Sequence, residues 1–284
     1  MEHIAVIIPS YEPDERLILL IRSLQPQCSN IVVVNDGSGP KFDQIFMELQ
    51  KSGVTILSHA VNQGKGRALK TAFNYCLLQD PDLVGCVTAD SDGQHLPEDI
   101  VHCGEVLSRH PDSLVLGCRD FDDVSVPQKS RYGNKITRTL FRYLCGLKIT
   151  DTQTGLRGIP AQFMRALLVV PGERFEFETN MLIASKDHCL IKEIKIKTIY
   201  DSPKNHATHF DPIKDSIRIY RILGKMFLHF IISSLSSSIV DLSLFAILCA
   251  LLREQSGYIL IATALARIVS ASYNYIVNYH IVFS

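Results

Sequence analysis

Asp90-Ser91-Asp92 closes the apolar run Leu83-Val84-Gly85-Cys86-Val87-Thr88-Ala89. A run of that length bounded by turn residues predicts a buried strand. Two carboxylates one residue apart at its mouth are costly to leave without a partner. They suit Mg²⁺ or Mn²⁺, hard cations that take oxygen ligands and share themselves with substrate phosphates. A merely solvated acidic turn would use the same residue types. Asp36-Gly37-Ser38 follows a second apolar run, Ile31-Val32-Val33-Val34. Its carboxylate can accept hydrogen bonds from a base or a ribose, and the tripeptide also suits a plain turn. Asn62-Gln63-Gly64-Lys65-Gly66-Arg67 precedes a helical pattern. There glycines let the backbone approach an anion, and a helix N-terminus favours negative charge. The spacing is not that of a P-loop.

The elements that must position these groups follow from periodicity. Strands are expected at 4–8, 31–34, 54–57, 83–88 and 114–117, and helices at 15–24 and 66–78. Strands alternating with helices predict an α/β domain with a mainly parallel sheet covered on both faces. Such a sheet holds ligands beyond the carboxyl ends of its strands, where each of these motifs falls. Phe175-Glu176-Phe177-Glu178 alternates as on a strand.

The 29 basic and 29 acidic residues cancel, so no global charge points to nucleic acid. The eight cysteines are scattered without a C-x-x-C pair, as expected of reduced thiols in a cytosolic compartment. The apolar run at 4–8 is too short for a signal peptide. Composition changes near residue 226. From Met226 to Leu252 the formal charge is Asp241, and from Gly257 to Val282 it is Arg267. Each stretch exceeds the ~20 residues that cross a bilayer, so a transmembrane hairpin is expected. Lys214, Arg218, Arg221 and Lys225 precede the first stretch, whereas the loop 253–256 carries one Arg. The positive-inside bias then places the N-terminal domain in the cytoplasm, at the inner membrane. Residues 212–225 read as an interfacial amphipathic helix. The expected organisation is a catalytic domain at 1–210, an interfacial helix at 211–225 and a hairpin at 226–284.

Taken in order, Pro9-Ser10-Tyr11-Glu12, Asn35-Asp36-Gly37-Ser38, Asn62 to Gly66 and Asp90-Ser91-Asp92-Gly93-Gln94-His95 resemble the nucleotide-sugar-binding half of family 2 inverting glycosyltransferases, with the GT-A fold. Gly117-Cys118-Arg119, Ser130-Arg131-Tyr132-Gly133-Asn134 and Asp151 to Arg157 narrow the likeness to polyprenyl-phosphate glycosyltransferases, the group of dolichyl-phosphate mannose synthase. The likeness covers about residues 3–200. Residues 230–252 and 274–283 are similar to part of a GtrA-like membrane domain, a module that usually has four helices, of which this chain carries two. The chain departs from many relatives at Glu12-Pro13. It has no tryptophan, so the Q-x-x-R-W signature of processive synthases is missing, which argues for a single sugar transfer.

The resemblance implies transfer of a hexose, from a UDP-sugar with glucose as first expectation, to a polyprenyl phosphate with inversion. Pro9, Tyr11, Glu12, Asp36, Gly64, Lys65 and Ser91 would line the nucleotide site. Asp90, Asp92 and Gln94 would hold the metal. Arg119 and Arg131 would seat the acceptor phosphate, because a guanidinium matches phosphate oxygens in a fork. Association of copies through the membrane helices is a further expectation. Rival readings are a transferase acting on a sugar hydroxyl or diacylglycerol, with Glu178 or Asp151 as base, and a non-catalytic membrane scaffold.

Overall fold

The computed structural model describes residues 1–119, 128–197 and 214–282. It contains two compact units, Met1–Ser216 and Ile217–Ser284. The first is built on a seven-stranded sheet in the order β3-β2-β1-β4-β6-β5-β7. Its strands are β1 (Ile4–Ser10), β2 (Ile31–Asn35), β3 (Thr55–Ser58), β4 (Gly85–Thr88), β5 (Ser113–Arg119), β6 (Arg157–Pro160) and β7 (Leu190–Ile196). β6 runs antiparallel to β4 and β5, and the other pairings are parallel. The chain runs outward from β1 to β2 and β3, then returns to place β4 on β1's other side. The ends of β1 and β4 are therefore the crevice where an open α/β sheet takes a ligand.

β1 and β2 are buried along their whole length, as parallel strands covered on both faces must be. Ile4, Val6 and Ile8 join one core with Leu17, Leu20, Ile21 and Leu24 of α1 (Glu15–Leu24) and with Ile100 and Leu107 of α4 (Pro97–Arg109). Asp14 caps α1 by accepting a hydrogen bond from the Arg16 amide at 3.0 Å. The short helix α2 (Asp43–Lys51) packs beside α1, and α3 (Lys65–Gln79) packs on β1 and β2. The expected strands at 4–8 and 31–34 and the helix at 15–24 form within two residues of their read limits.

Two strands escape the periodicity. β6 is four residues with Gly and Pro inside and a buried Arg at its start, and β7 is a largely exposed edge strand. Phe175 to Glu178 is not a strand: it opens α7 (Glu176–His188), after the short α6 (Ala161–Leu167). The alternation there records Phe177 turned into the core beside Phe73, ring centres 6.5 Å apart, with glutamates on either side. α5 (Gln128–Leu140) follows β5 and continues as a wider turn through Phe141–Cys145.

The second unit is a helical hairpin of α8 (Lys214–Leu251) and α9 (Tyr258–Val277). Phe227–Leu251 and Tyr258–His280 are long and apolar enough to cross a membrane. α8 is unbroken, so one helix carries both the basic stretch from 214 and the first apolar span; Pro212 and Ile213 lie outside the described residues. Polar groups line the seam between the helices. Ser270 Oγ donates to Asp241 at 2.8 Å, Ser237 Oγ donates to the Ser270 carbonyl at 3.0 Å, and Arg267 lies 3.4 Å from Asp241. The two formally charged side chains of the spans thus pair with each other, as charged groups in hydrocarbon need partners.

Phe73 and Phe177 lock α3 to α7, and both helices carry site residues. Phe73→Ala is expected to cost about 3–5 kcal/mol. Thermal unfolding of the detergent-solubilised chain, followed by circular dichroism, should show the matching fall in Tm.

Candidate active site

Lys65 is the first residue of α3, and Asp90 lies just past the end of β4. Lys65 Nζ sits 2.6 Å from Asp90 Oδ1 and 3.0 Å from Glu178 Oε1 in the first turn of α7. The lysine and Glu178 side chains are each 13% exposed. Burial alone would pull the ammonium's pKa down, but the two carboxylates outweigh it and hold it above the ordinary lysine range. Burial would likewise push Asp90 up; Lys65 and His95 outweigh it and hold the carboxyl well below the usual range. His95 Nε2 lies 3.3 Å from Asp90 Oδ2, and its buried Nδ1 has no partner among the described residues. Asp92 accepts from the Gln94 amide at 3.0 Å. Burial first, and then the charge on Asp90, push the Asp92 carboxyl up.

The floor of this cluster is the segment 151–157. A Cβ on Gly155 would come within 2.2 Å of Asp90 Oδ2, so only glycine lets this backbone press against the carboxylate. Thr88 Oγ1 donates to the Gly155 carbonyl at 2.9 Å. Arg157 is buried, with Nε donating to the Thr154 carbonyl at 2.9 Å and Nη1 to the Glu178 carbonyl at 2.7 Å. Its Nη2 has no partner among the described residues. Arg157 thereby ties the 151–157 segment to the start of α7.

Asp36 lies buried past the end of β2. Oδ1 accepts from the Gln63 amide at 2.9 Å and lies 2.7 Å from His59 Nδ1, while Oδ2 accepts from the Gly64 amide at 2.7 Å. The anion at the N-terminus of α3 is thus the protein's own. Gly64, at φ +102°, makes room for the Glu173 carbonyl, which a Cβ would meet at 2.5 Å. The glycines here admit a neighbouring loop. Around β1, Pro9 and Ser10 are buried, and the Ser10 hydroxyl has no partner. Glu12 adopts φ +49° and donates its amide to Ser38 Oγ at 2.8 Å. Tyr11, hydrogen-bonded to Glu12, titrates above its ordinary value.

Arg119 ends β5 with Nε 2.7 Å from Asp151 Oδ2 and Nη2 3.0 Å from Oδ1. Its fork is engaged on a fully buried carboxylate of this chain. Arg131 lies on α5, three residues before Asn134, and its side chain falls outside the described residues. Asn134 binds the Thr150 carbonyl at 2.8 Å and so joins α5 to the 151–157 segment.

Seven of the expected site residues fall into three groups. Asp90, Asp92, Gln94 and Lys65 share one cluster, joined by Glu178 and His95, which entered without a metal or nucleotide assignment. Asp36 and Gly64 build the neighbouring loop, and Arg119 pairs with Asp151. Arg157 gave a sequence signal only as the last letter of a motif.

The donor set suits a hard divalent ion. Two carboxylates crowd one strand end, Asp92 raised by burial and by the charge on Asp90, with an amide side chain two residues on. Among the described residues no group of three or more His, Cys, Asp and Glu is arranged to hold a metal.

The profile of glycosyl transferase family 2 matches residues 5–168. The chain is 29% identical over 217 residues to a UDP-N-acetylglucosamine–dolichyl-phosphate N-acetylglucosaminyltransferase of Methanococcus voltae, covering 69% of this chain and 86% of that one. It is 28% identical over 189 residues to an undecaprenyl-phosphate mannosyltransferase of Micrococcus luteus, covering 63% and 75%. Among solved structures, glucosyl-3-phosphoglycerate synthase from Mycobacterium tuberculosis, held with Mn²⁺, UDP-glucose and phosphoglyceric acid, superposes with a TM-score of 0.56 at 18% identity, covering 77% of this chain and 76% of that one.

Gly155→Ala places a methyl against Asp90. We expect activity to fall by about 10²-fold or more, the effect of displacing a site group by an ångström. Circular dichroism should show the fold retained while single-turnover transfer is lost.

Proposed function

The chain belongs to glycosyl transferase family 2, and from that premise we propose that it transfers a hexose from a nucleotide-sugar to a polyprenyl phosphate, with inversion, at the cytoplasmic face of a membrane. The observation that carries this reading is the pairing, in one chain, of a carboxylate crevice at the ends of β1 and β4 with two helices fit to cross a bilayer. The names of the two relatives support it, since both act on lipid-linked phosphates. They name N-acetylglucosamine and mannose, so glucose draws no support from them. A UDP-hexose remains the favoured donor class.

In this reading Asp90, Asp92 and Gln94 hold Mg²⁺ or Mn²⁺. When bound, the ion neutralises charge on the departing diphosphate. Ser10, Tyr11 and Glu12 border the donor from β1, and Asp36 sets the loop beside it. A phosphate monoester is mostly dianionic at pH 7, its second pKa being near 6. The acceptor then needs no general base, only cations that seat it. Arg131 takes that role. Arg119 keeps Asp151 and the end of β5 in place through its fork. Asp151 is paired with Arg119 and Glu178 with Lys65, which favours the phosphate acceptor over a hydroxyl that would need one of them as its base. The four basic residues at 214–225 against one in the loop 253–256 support the cytoplasmic orientation.

Release of nucleoside diphosphate should depend on adding polyprenyl phosphate and a divalent cation, tested with UDP-glucose, UDP-N-acetylglucosamine and GDP-mannose in turn. Asp92→Ala should lower turnover by about 10³-fold or more, the several kcal/mol a metal supplies. Undiminished turnover in chelator would overturn the metal assignment.

Arg131→Ala should raise the acceptor KM or lower kcat by a total of about 10–100-fold, the worth of one charge-assisted contact. Calorimetry should find nucleotide-sugar affinity unchanged. Lost donor affinity with normal transfer at saturating donor would move Arg131 to the donor site.

A further inference from the structure

We propose that Lys65 is an internal counter-ion that occupies Asp90 until a divalent cation arrives with a diphosphate, so that cation binding by the free protein is weak and donor-dependent. The inference rests on the metal reading of Asp90 and Asp92.

Three observations carry it. First, Nζ lies 2.6 Å from Asp90 Oδ1, on an oxygen that a hard cation would need. Second, the other oxygen, Oδ2, is fixed between His95 Nε2 at 3.3 Å and the Gly155 backbone, so Asp90 has little freedom to turn and serve both partners. Third, Lys65 has a second carboxylate, Glu178, within 3.0 Å. When a divalent ion claims Asp90, the ammonium can leave without losing its charge partner. It remains beside Glu178 or turns to the incoming diphosphate. An ammonium and a divalent cation on one carboxylate oxygen repel each other, and the low exposure of the lysine limits screening by water.

The chemistry assigns opposite signs to two substitutions. Lys65→Met keeps the length and apolar stem but removes the charge. It should tighten Mn²⁺ binding to the nucleotide-free chain. Glu178→Gln removes the retreat and leaves Lys65 more firmly on Asp90, so it should weaken Mn²⁺ binding. A like charge within about 4–6 Å shifts an ionic equilibrium by one to three powers of ten, so each change should be about tenfold or more. The two substitutions also differ in how they alter the linkage between metal and nucleotide. In the native chain UDP should strengthen Mn²⁺ binding and Mn²⁺ should strengthen UDP binding by the same factor. In Lys65→Met that factor should shrink, because the ion no longer has to displace an ammonium.

The test is Mn²⁺ titration of the full chain in detergent, followed by electron paramagnetic resonance of free Mn²⁺, with and without UDP. It needs no turnover. Circular dichroism identifies a variant that fails to fold, and Glu178→Gln then decides alone. Equal Mn²⁺ affinity in the native chain and in every folded variant, with UDP still promoting binding, overturns the role of Lys65 and leaves the metal reading standing. Absence of Mn²⁺ binding in the native chain even with UDP overturns the metal reading itself. Tighter binding in Lys65→Met, weaker binding in Glu178→Gln and a reduced UDP linkage together support the counter-ion.

Discussion

A largely buried ammonium held between two carboxylates fixes where both must stand. Removing either partner strands a charge in a low-dielectric site, at a cost of several kcal/mol. Lys65 is that ammonium here, and the elements around the site answer to it. α3 must begin at Lys65, which requires the Asp36 carboxylate to gather the Gln63 and Gly64 amides. α7 must present Glu178 in its first turn, which Arg157 secures by binding the Glu178 carbonyl. β4 must end where Asp90 reaches Nζ, and Gly155 must be bare for the carboxylate to lie there. The charges of four chain segments are thereby balanced against one another, and the strongly lowered Asp90 and raised Asp92 are two faces of that balance.

The parts legible in the sequence are those set by local composition. A strand buried on both faces must be uniformly apolar, so 4–8 and 31–34 announce themselves, as do two apolar stretches long enough to cross a membrane. Asp90 and Asp92 stand out because carboxylates are rare beside such strands. What stayed hidden depends on contacts far apart in the chain. β6 has too few residues for a pattern and holds a buried Arg whose partners lie on another element. Phe175 to Glu178 alternates because one phenylalanine enters the core, and a single helical turn yields the same alternation as a short strand. Nothing in Asp36-Gly37-Ser38 tells that two amides 27 and 28 residues later bond its carboxylate. The pairing of Arg119 with Asp151 is hidden for the same reason, the two lying 32 residues apart.

The hairpin solves a related problem without water. Asp241 and the serines Ser233, Ser237 and Ser270 meet groups of the facing helix across the seam, and the outward positions are largely apolar, with Leu228, Ile232, Leu235, Ile239 and Leu242 exposed. The small side chains Ala262, Ala266 and Ser270 are buried on α9, which lets the two backbones come close enough for the seam's hydrogen bonds. The composition of the stretch announced a membrane span; the pairing needed the rotation of two helices to be known.

α8 has a length that the bilayer cannot absorb. Its 38 residues extend about 57 Å, against roughly 30 Å of hydrocarbon. With the apolar span starting at Phe227, some 13 residues, about 20 Å, continue beyond it as the same helix. A rod of this kind acts as a lever. A tilt of about 20° in the span swings the outer end sideways by about 7 Å. Bilayer thickness, one influence on the tilt, thus becomes a mechanical input at the basic end of the helix.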